Sequence, residues 1–242
     1  MVLWCIGWHI PYSKLRLEIS PVYINVCIDV SLFKRMPRRV LLIDDLHMKD
    51  VYTKAIIKNT NCNIVPLTCG FDKKSPVLVQ LSGGGVIPLS FGIDDKGRKV
   101  LLSLQIDSES DHDNLVRLRT ELIESCSSNW STWYPDKEPP SESLCSTLVS
   151  IRKKKQNNVD LWPGLFKAVI EPKDCTTGAC KIVDRESGEP VSFSNLPGMS
   201  WHKAIFEFKY IYIQKTQSYG ITKKLRYLSC SEGEECGEAV PI

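Results

Sequence analysis

Residues 204–213 read Ala-Ile-Phe-Glu-Phe-Lys-Tyr-Ile-Tyr-Ile. At the two-residue period of a β-strand, Phe206, Phe208, Tyr210 and Tyr212 share one face, and Ile205, Glu207, Lys209, Ile211 and Ile213 share the other. A following strand from Gly220 brings Lys223, Leu225 and Tyr227 to one side and Lys224, Arg226 and Leu228 to the other. Rings interleaved with cations suit an unpaired polynucleotide. Its bases stack on aromatic faces at about 1–3 kcal/mol each, and its phosphates follow the positive charge. Alternating aromatics also fill sheet interiors, so Tyr212, Tyr219 and Tyr227, nearer the turn, are the stronger candidates for exposed platforms. The expected phosphate contacts are Arg152, Lys153, Lys154, Lys155, Lys167, Lys209, Lys223, Lys224 and Arg226. The expected stacking residues are Trp162, Phe208, Tyr210, Tyr212, Tyr219 and Tyr227.

Other chemistries find less support. Asp184 ahead of Glu207-Phe208-Lys209 has the acidic-x-Lys form that can hold a divalent cation beside an attacking water, which makes a metal-dependent nuclease the enzymatic alternative. A Lys beside a Glu on a strand is more commonly a cross-strand pair. His9, His47, His112 and His202 are isolated, and neither Gly-x-Ser-x-Gly nor His-Glu-x-x-His occurs. Gly83-Gly84-Gly85 is not followed by Lys-Ser/Thr, so it reads as a hairpin turn rather than a phosphate loop. No catalytic residue, cofactor or metal is expected. A third possibility is a viral structural or scaffold protein that does not bind nucleic acid.

The elements that must position these residues are mostly strands. Leu15–Ile19, Val22–Val30, Arg39–Leu46, Val51–Lys58, Val77–Leu81, Val86–Phe91 and Arg98–Ile106 carry β-type patterns, with a loop over Pro66–Pro76. Two helices are expected next. Asp111 or Asp113 caps one carrying Leu115, Leu118 and Leu122, and Ser141 caps another carrying Leu144, Leu148 and Ile151 and running into Arg152-Lys-Lys-Lys155. Ser125–Pro140, with its tryptophans and prolines, reads as the loop between them. Leu165–Glu171, Ala179–Arg185, Pro190–Phe193, Ala204–Gln214 and Gly220–Ser229 then form five consecutive strands with short glycine-containing turns, as in a sandwich or small Greek-key barrel.

Across 242 residues, 43% hydrophobic and 24% charged composition is that of an ordinary folded chain. No window approaches the roughly 20 apolar residues of a membrane span, and the apolar start reads as neither signal peptide nor anchor. The net charge of +3 is unevenly spread: residues 152–229 hold 14 basic and 7 acidic side chains, whereas residues 230–242 hold four glutamates and no cation. The cysteines (5, 27, 62, 69, 126, 145, 175, 180, 230, 236) lack metal-type spacing and read as free thiols of a reducing, intracellular compartment. Cys175 and Cys180 could meet across a turn. The expected organisation is an N-terminal extension over 1–35, one β-rich domain over 36–229 with a helical insertion at about 111–155, and an acidic tail over 230–242.

From Ser90 onward, the order of parts resembles the single-stranded DNA-binding proteins of large eukaryotic DNA viruses, of the African swine fever virus type. The parts are Pro88-Leu-Ser-Phe91 through Gly97, the run ending at Lys155, Pro163-Gly-Leu-Phe-Lys-Ala-Val-Ile-Glu-Pro172, and Lys181-Ile-Val-Asp184. Pro190-Val-Ser-Phe193 follows, then Tyr210-Ile-Tyr-Ile213 with Tyr219-Gly-Ile-Thr-Lys-Lys-Leu225. The resemblance implies an OB-like Greek-key barrel that binds single-stranded DNA, tolerant of sequence, in viral replication or repair. It places the protein in the host cytoplasm or nucleus, with replication proteins as partners through the acidic tail.

Overall fold

A computed structural model describes residues 39–70, 73–88, 92–93, 99–153 and 160–232, with the backbone alone at 92–93, 151–153 and 160–163. The strands expected over Leu15–Ile19 and Val22–Val30, and the acidic tail beyond Glu232, lie outside these residues.

The chain is mostly β, as expected. Its strands are β1 (Val40–Leu42), β2 (Tyr52–Thr53), β3 (Cys62–Thr68), β4 (Val77–Leu81), β5 (Gly85–Val86), β6 (Gly92–Ile93) and β7 (Val100–Ile106). After helix α1 (Glu109–Trp133) come β8 (Val149–Lys153), β9 (Asp160–Ile170), the short helix α2 (Pro172–Thr176), β10 (Lys181–Asp184), β11 (Ser200–Gln214) and β12 (Tyr219–Ser231).

The two longest strands organise the sheet. β12 pairs along one edge of β11, and β5, β4 and β3 pair in series along the other. From β12 the ladder continues through β9 to β7 and β6, and it ends open at β1 and β6. Among the described residues no strand pair closes it. The seam between β5 and β7 is bridged instead by the Trp201 indole N–H, which donates to the Gln105 carbonyl at 2.8 Å, and by Asp107 N–H on the Gly84 carbonyl at 3.3 Å. This seam explains a glycine: a Cβ at Gly85 would stand 2.1 Å from the Gln105 carbonyl oxygen.

Inside the curl, Phe166 and Phe206 pack with ring centroids 4.6 Å apart, among Trp201, Leu102, Leu104 and Leu225. Helix α1 adds Leu115, Leu118, Leu122, Cys126, Trp130 and Trp133 to this core at intervals of three and four residues. Its N-cap is Ser108, whose Oγ accepts from Asp111 N–H at 3.1 Å, rather than Asp111 or Asp113. Asp111 instead turns back to accept the Ser82 and Gly83 N–H groups, tying the helix start to the glycine turn. Arg117 and Glu121 anchor the helix to the preceding segment: Arg117 donates to the Ile43 and Leu46 carbonyls, and Glu121 accepts from Met48 N–H at 2.7 Å.

Three expectations are corrected. The helix continues through Ser125–Trp133, because the apolar spacing persists and the prolines begin only at Pro135. The second helix is absent: one turn over Glu142–Leu144, capped by Ser141, gives way to β8, whose β-branched Val149 and Ile151 complete an edge on β9. Pro66 lies inside β3 rather than in a loop. No helix among the described residues is long and apolar enough to cross a membrane.

Candidate functional site

The alternation along β11 breaks at Lys209. Phe208 pairs with Lys223 and Tyr210 with Thr222, so Lys209 is an extra residue, a β-bulge. Before it, Ala204, Phe206 and Phe208 point inward; after it, Ile211 and Ile213 do, and Tyr210, Tyr212 and Gln214 turn outward. A single inserted residue exchanges the two faces. The four aromatics expected on one face are thereby divided into two interior phenylalanines and two half-buried tyrosines.

The tyrosines join cross-strand rows. Ile57, Ile64, Tyr212 and Gly220 stand in register, with Pro66, Tyr210 and Thr222 beside them. Of these, Ile64, Tyr210, Tyr212 and Thr222 line an open groove of about 730 Å³ together with the turn Lys58-Asn59-Thr60-Asn61, Cys62 and Gln214. Lys209 is exposed, its Nζ 6.0 Å from the Tyr210 ring centroid. The Tyr212 ring lies across Gly220, where a Cβ would stand 2.7 Å from its hydroxyl oxygen. That hydroxyl is hydrogen-bonded to Ser146 Oγ at 2.6 Å. Two tyrosines, carboxamides and Lys58 thus share one concave surface, which suits planar, anionic ligands. Lys58, Asn59, Asn61 and Ser146 were not among the sequence candidates. Their only signal was a polar turn ahead of a strand and a serine beyond an expected cap.

Several expected site residues are placed elsewhere. Phe208 and Tyr219 are each 1% exposed and offer no ring face to a ligand. Lys224, 6% exposed, is held by Asp174 at 2.7 Å and Glu171 at 3.2 Å, both contributed by or next to α2. Arg226 donates through Nε to Glu207 at 2.7 Å and through Nη1 to Asp174 at 3.1 Å. The ammonium of Lys223 turns inward, donating to the Leu148 carbonyl at 3.1 Å and lying 4.7 Å from the Phe166 ring centroid. Burial, reinforced by nearby Lys167, lowers its pKa to about 8. Lys223, Lys224 and Arg226 therefore have partners within the fold instead of standing free for phosphates.

Lys167 and Lys209 are exposed and have no ion pair among the described residues. Tyr227 is half-buried farther along β12, opposite Ile205 and beside Lys181. For Arg152, Lys153 and Trp162 only the backbone is described, and Lys154 and Lys155 lie outside the described residues.

The carboxylates of the nuclease alternative are also engaged. Glu207 serves Arg226, and Asp184 accepts from the N–H groups of Glu186 and Ser187 in its own turn. No cluster of three or more His, Cys, Asp or Glu suited to a metal occurs among the described residues. The described cysteines are free, and burial raises the pKa values of both the Cys175 and Cys180 thiols, which are hydrogen-bonded to each other.

No family model and no curated protein matches the chain. Among solved structures, the chain is similar to gp2.5, a single-stranded DNA-binding protein of bacteriophage T7, at 13% identity and a TM-score of 0.41, over 69% of this chain and 92% of that one. It is also similar to the single-stranded DNA-binding protein of bacteriophage Enc34, at 12% identity and a TM-score of 0.38, over 79% and 96%. The Enc34 protein in complex with single-stranded DNA gives 10% identity and a TM-score of 0.37, over 76% and 98%.

Proposed function

We propose that the outer face of β3, β11 and β12 binds single-stranded DNA with little sequence preference, in the replication or repair of viral DNA. The bulge at Lys209 carries this reading, because it turns two tyrosine rings out of the core onto a groove lined by Lys58, with the Lys209 ammonium 6.0 Å from the Tyr210 ring centroid. Tyr210 and Tyr212 would each receive a base, and Lys58, Lys209 and Lys167 would follow the phosphates. In duplex DNA the base faces are already stacked on one another, so the rings favour unpaired strands.

Gel-shift titrations of single-stranded DNA, duplex DNA and RNA at two salt concentrations test the reading. The expected order places single-stranded DNA first, with affinity falling steeply as salt rises. Tyr210→Ala with Tyr212→Ala should weaken binding on the order of a hundredfold. Equal affinity for wild type and the double variant would remove the groove from the assignment. A protein indifferent to oligonucleotides at low salt would instead fit a structural or scaffold role.

A further inference from the structure

We infer that Ser146 is a positioning residue of the groove, fixing the Tyr212 ring and thereby making helix α1 a contributor to ligand binding. The inference rests on the groove being a single-strand site. On an outer strand face a tyrosine ring is ordinarily free to change rotamer, and a ligand stacking on it must immobilise it. Tyr212 is already immobilised. Its ring lies against Gly220, and its hydroxyl is 2.6 Å from Ser146 Oγ. With that hydroxyl engaged, the ring face is the part of Tyr212 left for a ligand.

Ser146 is itself held from two directions. Its N–H donates to the Tyr219 carbonyl at 2.8 Å, next to the bridge between Cys145 and Tyr219. Arg119, on α1, donates to the carbonyls of Glu142 at 3.2 Å and Cys145 at 3.0 Å, fixing the segment that ends at Ser146. A continuous set of contacts therefore runs from α1 through Arg119, Cys145 and Ser146 to Tyr212. Gly220 completes the arrangement, because a Cβ there would meet the Tyr212 hydroxyl at 2.7 Å and the Ser146 Cβ at 3.0 Å.

A double-variant cycle tests this, with labelled oligothymidylate titrated into wild type, Ser146→Ala, Tyr212→Phe and the double variant, and melting followed in parallel. Each single change should weaken binding about fivefold, the loss of one hydrogen bond's ordering. The double variant should lose no more than either single, and Ser146→Thr should restore affinity. Tyr212→Phe removes one oxygen atom and keeps the ring, so it remains informative if Ser146→Ala folds poorly. Wild-type affinity in both single variants, or losses that multiply in the double, would overturn the role of Ser146. Tyr210→Ala in the same titration separates the two claims. If it weakens binding while Ser146→Ala does not, only the positioning role falls; if it too has no effect, the groove reading falls with it.

Discussion

Neighbouring aromatics on one strand have opposite duties, and substitution separates them. Phe208, enclosed beside Lys223, should lose about 3–5 kcal/mol of stability as Phe208→Ala, read from chemical denaturation. Tyr210→Ala, two positions away, should cost little stability and about 1–3 kcal/mol of single-strand affinity. Lys223 gives a pH signature. Its pKa, about 8 in the fold, lies below the ordinary lysine value, so the unfolded chain binds its proton more tightly. The penalty for burying the charge is complete below about pH 8 and is relieved as pH rises toward 10.5. Stability should therefore increase across that interval, and Lys223→Met should flatten the increase in denaturation midpoints measured from about pH 8 to about pH 10.5.

At the scale of elements, the bulge in β11 and the cover provided by α2 decide what the sheet displays. Inserting one residue between Thr222 and Lys223 should give Lys209 a partner, restore unbroken pairing and turn Tyr210 and Tyr212 toward the core, while Ile211 and Ile213 face outward. That variant should lose both binding and several kcal/mol of stability, in titration and melting respectively. α2 supplies Asp174, which faces Lys224 and Arg226 together. Asp174→Asn should destabilise the fold by about 3–5 kcal/mol, because Lys224 would remain buried with only Glu171 beside it. Binding per folded molecule should change little, since these cations lie outside the groove.

For the whole molecule, a net charge of +3 says less than where the unpaired lysines stand. If Lys58, Lys167 and Lys209 each neutralise a phosphate, the slope of log affinity against log salt should become shallower by about 0.7 for each one replaced by Ala. A slope unchanged in the triple variant would place the strand on another surface. The open curl of the sheet also gives α1 its place in the molecule. The helix fills the core with its apolar stripe and, through Arg119, steadies the segment beside β12.

The mostly β class was legible from alternation and turn residues, and the expected bounds of β4, β7, β11 and β12 lie close to those found. The start of α1 was legible in Leu115, Leu118 and Leu122, and its continuation was present in the spacing of Cys126, Trp130 and Trp133, though the later prolines masked it. The second expected helix failed because Leu144, Leu148 and Ile151 satisfy a helical spacing, whereas β9 offers an unpaired edge that only the assembled sheet reveals. The chemistry of the site divides in the same way. That tyrosines and lysines would cluster near the β11–β12 turn follows from the order of residues. Which rings face outward depends on a one-residue register shift, and which cations stay free depends on carboxylates brought from α2 and its flank. Alternation is a local property of the chain, but a bulge is defined by two strands and an ion pair by two distant segments, so tertiary structure alone decided both.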